Sequence, residues 1–456
     1  MKGLFVIAIA LRVSAFPAPS SYAKRFTDSN VEVKLTFASG LLDSPTDGRV
    51  VLMFAPNGTN PLEDTGVTSS PNKIYGRNVY KVNAKSTITF SGGSNSSTST
   101  GVYGWPDVSM SKIPAGVYQV QAFLNKYETV TRSDGSKVSV HFPCGDGAPN
   151  VNTFGSLITT ATDIEISGNL QTIELLFNNV TETTQFTGNE VGGCNQGSYA
   201  DVDDMTYVKV RSEKLSTFWG RNMYIGANVV LPAGYDPKDT STRYPVIYSQ
   251  GHWAGGAGAF DYGRDVNFST AWNQGNYTVA GTKTTLPTPK LILVTFRHEA
   301  PFYDDSYAVN TANLGPYGDA INDELVPHID ATFNTIRAPY ARIQEGGSTG
   351  GWESIASLIY RPDLFGACFS SYPDSLDFHR HQDIELYTAN NAYRRADGSF
   401  VPSIREFVDG KEVILATVAN ENHWEFTFGT ASRSSSKTGQ CYRSSTRCSS
   451  PECNPT

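Results

Sequence analysis

The sequence predicts an α/β domain on a mostly parallel sheet, preceded by an all-β, sandwich-like domain. Three observations carry that expectation. Residues 30–185 alternate apolar and polar positions with a period of two and show no helical stretch. From about residue 205, short apolar strands alternate with helix candidates instead. A Gly/Asp-rich stretch, read as a linker over 186–204, separates the two patterns. At 456 residues the chain is also too long for one ordinary core.

The first pattern is clearest over Val31 to Phe37, where VEVKLTF alternates without a break, as a half-buried strand should. The segments from Val50 to Phe54, Val117 to Phe123, Val138 to Phe142 and Ile173 to Phe177 behave similarly. Gly, Asn, Ser and Pro clusters separate them, and short strands joined by turns imply an antiparallel sandwich. The Ser/Gly/Thr run from Ser91 to Gly101 reads as a loop.

In the second pattern the strands are Tyr244 to Tyr248, Leu291 to Phe296, Ala341 to Gln344 and Phe365 to Phe369. Between the second and third, Asp319 to Phe333 places Ile321, Leu325, Ile329 and Phe333 on one helical face. Another helix candidate follows Gly350, with Trp352, Ile355, Leu358 and Ile359 as its apolar stripe and Arg361-Pro362 as its stop. Such alternation gives a mostly parallel sheet covered on both faces.

With 39% hydrophobic and 18% charged residues the chain has a globular profile. A formal charge of −8 leaves no basic stripe for a nucleic acid or an anionic membrane surface. Lys2, the apolar run Leu4 to Leu11 and the small residues Val13-Ser14-Ala15 read as a secretory signal peptide over 1–15, too short to span a bilayer. A buried N-terminal strand is the alternative. Sequons at Asn57, Asn95, Asn179, Asn267 and Asn276 fit a secreted, N-glycosylated protein. Cys144 and Cys194, both in Gly-rich loop contexts, are expected to form a disulfide. Cys368 lies in an apolar run and is read as a buried free thiol.

The chemistry concentrates at Gly346-Gly-Ser348-Thr-Gly350. A serine between small neighbours, after a strand and before a helix, fits a strained turn that holds its hydroxyl clear of the sheet. Ser348 is therefore the expected nucleophile, with a plain Gly-rich loop as the alternative. Acyl transfer also needs donors for a developing oxyanion. The amide of Thr349 supplies one. The second is expected from Gly251, in the glycine-rich loop Gln250-Gly-His-Trp-Ala-Gly-Gly after the strand ending at Tyr248, unless that loop is an ordinary turn.

Four stretches together make a specific pattern: Tyr244 to His252, Pro301 to Val309, Gly315 to Ala320 and Gly346 to Trp352, with Tyr372-Pro-Asp-Ser-Leu-Asp-Phe378 also fitting. On these residues the chain resembles the Putative esterase family, related to enterochelin esterases, feruloyl esterases and the esterase D type, over about 205–432. The resemblance implies an α/β-hydrolase fold with Ser348 as nucleophile and leaves the substrate open. It also suggests that Tyr303, Asp304 and Asp305 belong to a substrate-side loop, where solvated turn residues are the other reading.

The remaining triad members are harder to place. In this fold the acid and then the His follow the serine, so His141, His252, His298 and His328, which precede it, are poor candidates. Glu421 and His423 form a conceivable local pair, but the resemblance implies a helical excursion there, with the acid and His further on. From Ser432 the composition changes abruptly to Ser, Arg and Cys. Residues 433–456 are accordingly read as a mis-framed or disordered tail, on a hydrolase domain (205–432) that is C-terminally incomplete. A rival constellation, Asp377, His379, His381 and Asp383, has the residue types of a divalent-metal site. No metal and no cofactor are assigned.

The expected function is a secreted serine carboxylic ester hydrolase acting on a small ester or an esterified carbohydrate, impaired by the missing acid and His. The alternatives are a non-catalytic carbohydrate- or wall-binding protein and a metal-dependent deacetylase.

Overall fold

The computed structural model describes residues 31–428 except 63–64, 69, 93–100, 142–154, 182–189, 192–193, 196–200, 202–203, 252–258, 299, 301, 303–305 and 381–382. The expected signal peptide, most of the linker and of the Ser91–Gly101 loop, Cys144 with its expected pairing to Cys194, and the tail over 433–456 lie outside the described residues.

Ten strands form the N-terminal sheet: β1 (Val31–Phe37), β2 (Thr46–Pro56), β3 (Lys73–Val82), β4 (Ile88–Ser91), β5 (Val102–Trp105), β6 (Gly116–Thr131), β7 (Lys137–His141), β8 (Leu157–Thr159), β9 (Thr162–Ile166) and β10 (Gln171–Val180). They make one hydrogen-bonded sheet in the order β4-β1-β10-β8-β6-β2-β3-β5, with β7 and β9 also on β6. The sheet curls, because the inward residues of β1 (Val33, Leu35), β2 (Val50, Leu52, Phe54) and β10 (Ile173, Leu175) share one core. The other face of β2, Val51 and Met53, joins Ile74, Trp105, Phe123 and Phe428 in a second cluster. A strand buried on both faces must be apolar throughout, which explains the unbroken run from Val50 to Ala55.

One pairing departs from the antiparallel expectation. β1 and β10 run parallel, from Val31 opposite Gln171 to Phe37 opposite Phe177. A hairpin cannot make such a pair. It arises because the last strand returns beside the first, a meeting that local alternation does not encode.

The second sheet has six strands: β11 (Met205–Ser212), β12 (Met223–Val230), β13 (Val246–Ser249), β14 (Ile292–Phe296), β15 (Arg342–Gly347) and β16 (Ala367–Ser371). Their order is β11-β12-β14-β13-β15-β16. β12 is antiparallel to both its neighbours, while β14, β13, β15 and β16 are mutually parallel. Helices α1 (Glu213–Trp219), α2 (Val266–Gln274), α3, α4 (Thr349–Tyr360) and α5 (Val418–Phe428) accompany it, with a hairpin of β17 (Pro402–Val408) and β18 (Lys411–Thr417) leading into α5. Helix α3 is a run of Tyr317–Ala320, a π-helical turn Ile321–Leu325, and Val326–Thr332. Its periodic face, Ile321, Leu325 and Ile329, with Phe333 after it, is buried against Val246, Tyr248, Ile292 and Val294 of the sheet.

Two expectations about burial are not fully met. The apolar stripe on α4 is buried only in part: Ile359 is 65% exposed and Trp352, Ile355 and Leu358 are half-buried, with Leu358 packed on the core, while Gly350, Gly351, Glu353, Ser354, Ala356 and Ser357 are buried. A helix entered from a one-residue turn lies close on its sheet, so small side chains face inward. The apolar run of β16 is not buried. It is the sheet edge, leaving Phe369 66% exposed and Cys368 half-buried.

The two sheets share their cores. Val130, Val138 and Val140 of the β6–β7 hairpin pack among the residues of the second core, beside Trp219. Arg221 pairs with Glu128 through contacts of 2.9 and 3.1 Å. Helix α5 lies on the N-terminal sheet, where buried Arg49 donates to the carbonyls of Phe426 (2.7 Å) and Thr427 (2.9 Å). None of the described helices is long and apolar enough to cross a membrane.

Candidate active site

Ser348 sits alone between β15 and α4 with φ 56° and ψ −122°. Positive φ is costly for a residue with a Cβ, so the surroundings must hold it. They do so from both sides: Ser348 N–H donates to Ser371 O of β16 (3.0 Å), and Ser348 O accepts from Trp352 N (3.1 Å) and Asp374 N (3.2 Å). The flanking glycines answer to close backbone crossing. A Cβ on Gly346 would meet Gly350 O at 2.4 Å, and one on Gly350 would meet Gln250 O at 2.4 Å. The segment after β13, the turn and the first residues of α4 therefore touch backbone to backbone.

The segment after β16 completes the surroundings. Ser348 Oγ donates to Asp374 Oδ1 (3.2 Å), and Thr349 Oγ1 donates to Asp374 Oδ2 (2.8 Å). Tyr372, at φ 37° and 80% exposed, lays its ring where a side chain on Gly347 would stand, 2.8 Å away. Sequence reasoning gave neither residue a role. Their only signal was membership of the Tyr372–Phe378 stretch.

The two expected oxyanion donors differ. Thr349 N–H belongs to the first residue of α4 and so has no partner within the helix. The Gly251 N–H is not open in this conformation: it donates to His298 Nε2 at 3.4 Å. The acceptor, His298, is a residue set aside in the sequence for preceding the serine. The rest of that loop, 252–258 with His252, lies outside the described residues, as do Tyr303, Asp304 and Asp305. His298 Nε2 is also 3.4 Å from Glu353 Oε2, and both side chains are fully buried. Below the turn, Glu345 of β15 accepts a hydrogen bond from Ser249 Oγ, and burial raises its carboxyl above the usual carboxylate range.

The other candidates fall elsewhere. Glu421 and His423 lie on α5, which packs on the N-terminal sheet rather than beside Ser348. The His423 ring meets Trp105 edge-on at 5.5 Å, and burial lowers its imidazole pKa. His379 Nδ1 is 2.8 Å from Asp377 Oδ1 on an exposed turn, and its ring lies against Tyr387. Asp383 pairs with Arg395 and Arg405, and His381 lies outside the described residues. Among the described residues no three His, Cys, Asp or Glu side chains gather as a metal site would need. No imidazole among the described residues bonds Ser348.

Residues 219–400 match the family model described as Putative esterase. An endo-1,4-beta-xylanase/feruloyl esterase of Xylanibacter ruminicola is 28% identical over 184 residues, 40% of this chain and 24% of the relative. The chain thus spans about a quarter of the length of that curated relative. Among solved structures, an S-formylglutathione hydrolase from Agrobacterium tumefaciens is 14% identical, covering 37% of this chain and 58% of the other with a TM-score of 0.27. A ferulic acid esterase from Anaeromyces mucronatus is 16% identical, covering 39% and 63% with a TM-score of 0.24. Over residues 219–400, less than half of its length, this chain is similar to the Putative esterase family.

Proposed function

We propose that the protein is a secreted serine carboxylic ester hydrolase with Ser348 as its nucleophile. The observation that carries this reading is the backbone of Ser348, held at φ 56° between β15 and α4 with its hydroxyl anchored to Asp374. In the reaction, Ser348 Oγ attacks the ester carbonyl, the Thr349 amide stabilises the tetrahedral oxyanion, and water then releases the acid. Asp374 aligns the hydroxyl. The proton must pass to a base, an imidazole in this reading, and the described residues bring none to Ser348.

The substrate class follows from the exposed Tyr372 ring beside Ser348 and from the feruloyl esterase among the relatives: an ester of a planar acyl group, on a small alcohol or a carbohydrate. Export fits the N-terminal residues and the exposure of Asn57, Asn179, Asn267 and Asn276, four of the sequons. The test is covalent. A fluorophosphonate should label Ser348, identified by peptide mass, and Ser348→Ala should abolish the adduct. Labelling at another residue, or none, would sink the reading. Stoichiometric zinc that disappears in His379→Ala would favour the metal-dependent alternative instead.

A further inference from the structure

Behind Ser348 lies a buried pair that the reaction as written does not use. The Gly251 amide nitrogen is 3.3 Å from where a Cβ on Gly350 would stand, so it rests against the first turn of α4. Its hydrogen points to His298 Nε2, 3.4 Å away, and that same nitrogen is 3.4 Å from Glu353 Oε2. His298 comes from the turn after β14 and holds φ 52°, while Glu353 comes from the buried face of α4. Two elements that flank the nucleophile thus meet at one ring nitrogen.

A nitrogen of a neutral imidazole either accepts or donates. With the ring proton on Nδ1, Nε2 accepts from Gly251 N–H, as the 3.4 Å contact between them requires. With the proton on Nε2, that nitrogen donates to the carboxylate of Glu353, and the Gly251 amide is released. The change moves one proton between ring nitrogens and leaves the net charge unaltered. We infer that His298 and Glu353 act as a tautomer gate on the second oxyanion donor, in which Glu353 selects the Nε2–H ring and so frees the Gly251 N–H for the substrate oxygen. Both are positioning residues. The inference rests on Ser348 being the nucleophile.

The experiment combines a fluorophosphonate with 15N NMR of the histidine rings in the full chain. In the adduct the Ser348 Oγ–P bond forms, the P–F bond breaks, fluoride leaves, the hydroxyl proton passes to solvent, and the phosphoryl oxygen takes the oxyanion position. The free protein should show His298 protonated on Nδ1, and the Ser348 adduct should show it protonated on Nε2. Glu353→Gln keeps the shape but loses the acceptor-only carboxylate. It should keep the Nδ1–H form in the adduct and label on the order of 10²-fold more slowly, the cost of one oxyanion donor, with an unchanged unfolding midpoint. Labelled wild type whose His298 stays protonated on Nδ1, or a Glu353→Gln variant that folds and labels at the wild-type rate, would overturn the gate alone. Absence of labelling at Ser348 in wild type would overturn the nucleophile and the gate together. If Glu353→Gln does not fold, the wild-type spectra before and after labelling decide.

Discussion

Helix α4 reaches its sheet through Gly350, Gly351, Ser354, Ala356 and Ser357, whereas helix α5 is held on the N-terminal sheet by long side chains and by one close crossing at Gly76. At α4 backbone meets backbone, and the result is the strained turn that presents Ser348. At α5, Arg49 binds the carbonyls of Phe426 and Thr427, Trp424 donates to Thr65 O (2.7 Å), and His423 packs on Trp105. Close backbone seating fixes a position to a fraction of an ångström, since neither partner has a rotamer through which to give. At α5 such a crossing also occurs, since a Cβ on Gly76 would meet Thr427 O at 1.8 Å, and the long side chains add to it. The difference teaches that close crossings alone do not make a site: at α4 they frame a strained serine, and at α5 they seat a helix that long side chains also hold.

The comparison breaks most sharply at Gly350. Gly350→Val would drive a side chain into Gln250 O, 2.4 Å from the first added carbon. A carbonyl of the main chain cannot swing aside, so the loss should exceed the ~1–3 kcal/mol typical of overpacking, and fluorophosphonate labelling should vanish. Urea unfolding and labelling together check this. A wild-type midpoint with normal labelling would show that the close seating is dispensable.

Next is Arg49→Met, which leaves the carbonyls at the end of α5 without their donor. Burial has lowered the Arg49 pKa to about 10, so the side chain is desolvated and its loss uncovers buried polar groups. We expect a destabilisation of ~1–3 kcal/mol in urea titrations, with Ser348 labelled at the wild-type rate. Labelling that falls in proportion would mean that α5 sets the active-site geometry after all.

The two regions should also differ in their pH limbs. At the site, burial holds the Glu345 carboxyl above its ordinary value, so the folded state binds the proton more tightly. Stability is then full below the ordinary carboxylate value and declines as pH rises through the raised one. At α5, burial lowers the His423 imidazole pKa, so its contribution is full above the ordinary imidazole value of 6.5 and declines as pH falls through the lowered one. Melting curves across pH should show Glu345→Gln flattening the first limb and His423→Asn the second. Identical curves for wild type and variants would break the contrast.

The smallest effect is expected from Asp374→Asn, which keeps an acceptor for Ser348 Oγ but removes the charge. Labelling should slow by no more than about tenfold, the scale of one hydrogen bond worth ~1 kcal/mol, with the unfolding midpoint unchanged. An effect as large as that of Gly350→Val would make Asp374 a chemical participant rather than an aligning group.

The sequence alone carried whatever depends on neighbours along the chain. The alternation of Val31–Phe37 marked β1, the spacing of Ile321, Leu325, Ile329 and Phe333 marked the core face of α3, and strand, glycines and serine in succession marked the turn at Ser348. Each is a local pattern whose period is that of the element it forms. Only the tertiary structure decided the rest. The parallel pairing of β1 with β10, the deeper burial of the small residues of α4 than of its apolar stripe, the diversion of the Gly251 amide to His298, and the hold of Asp374 on Ser348 across 26 residues have no period to read. Arg49 and Thr427 meet across 378 residues. Such contacts are stabilised by the desolvation and hydrogen bonding of groups that become neighbours only after folding, so their partners are set by the packed sheets and not by the residues beside them in the chain.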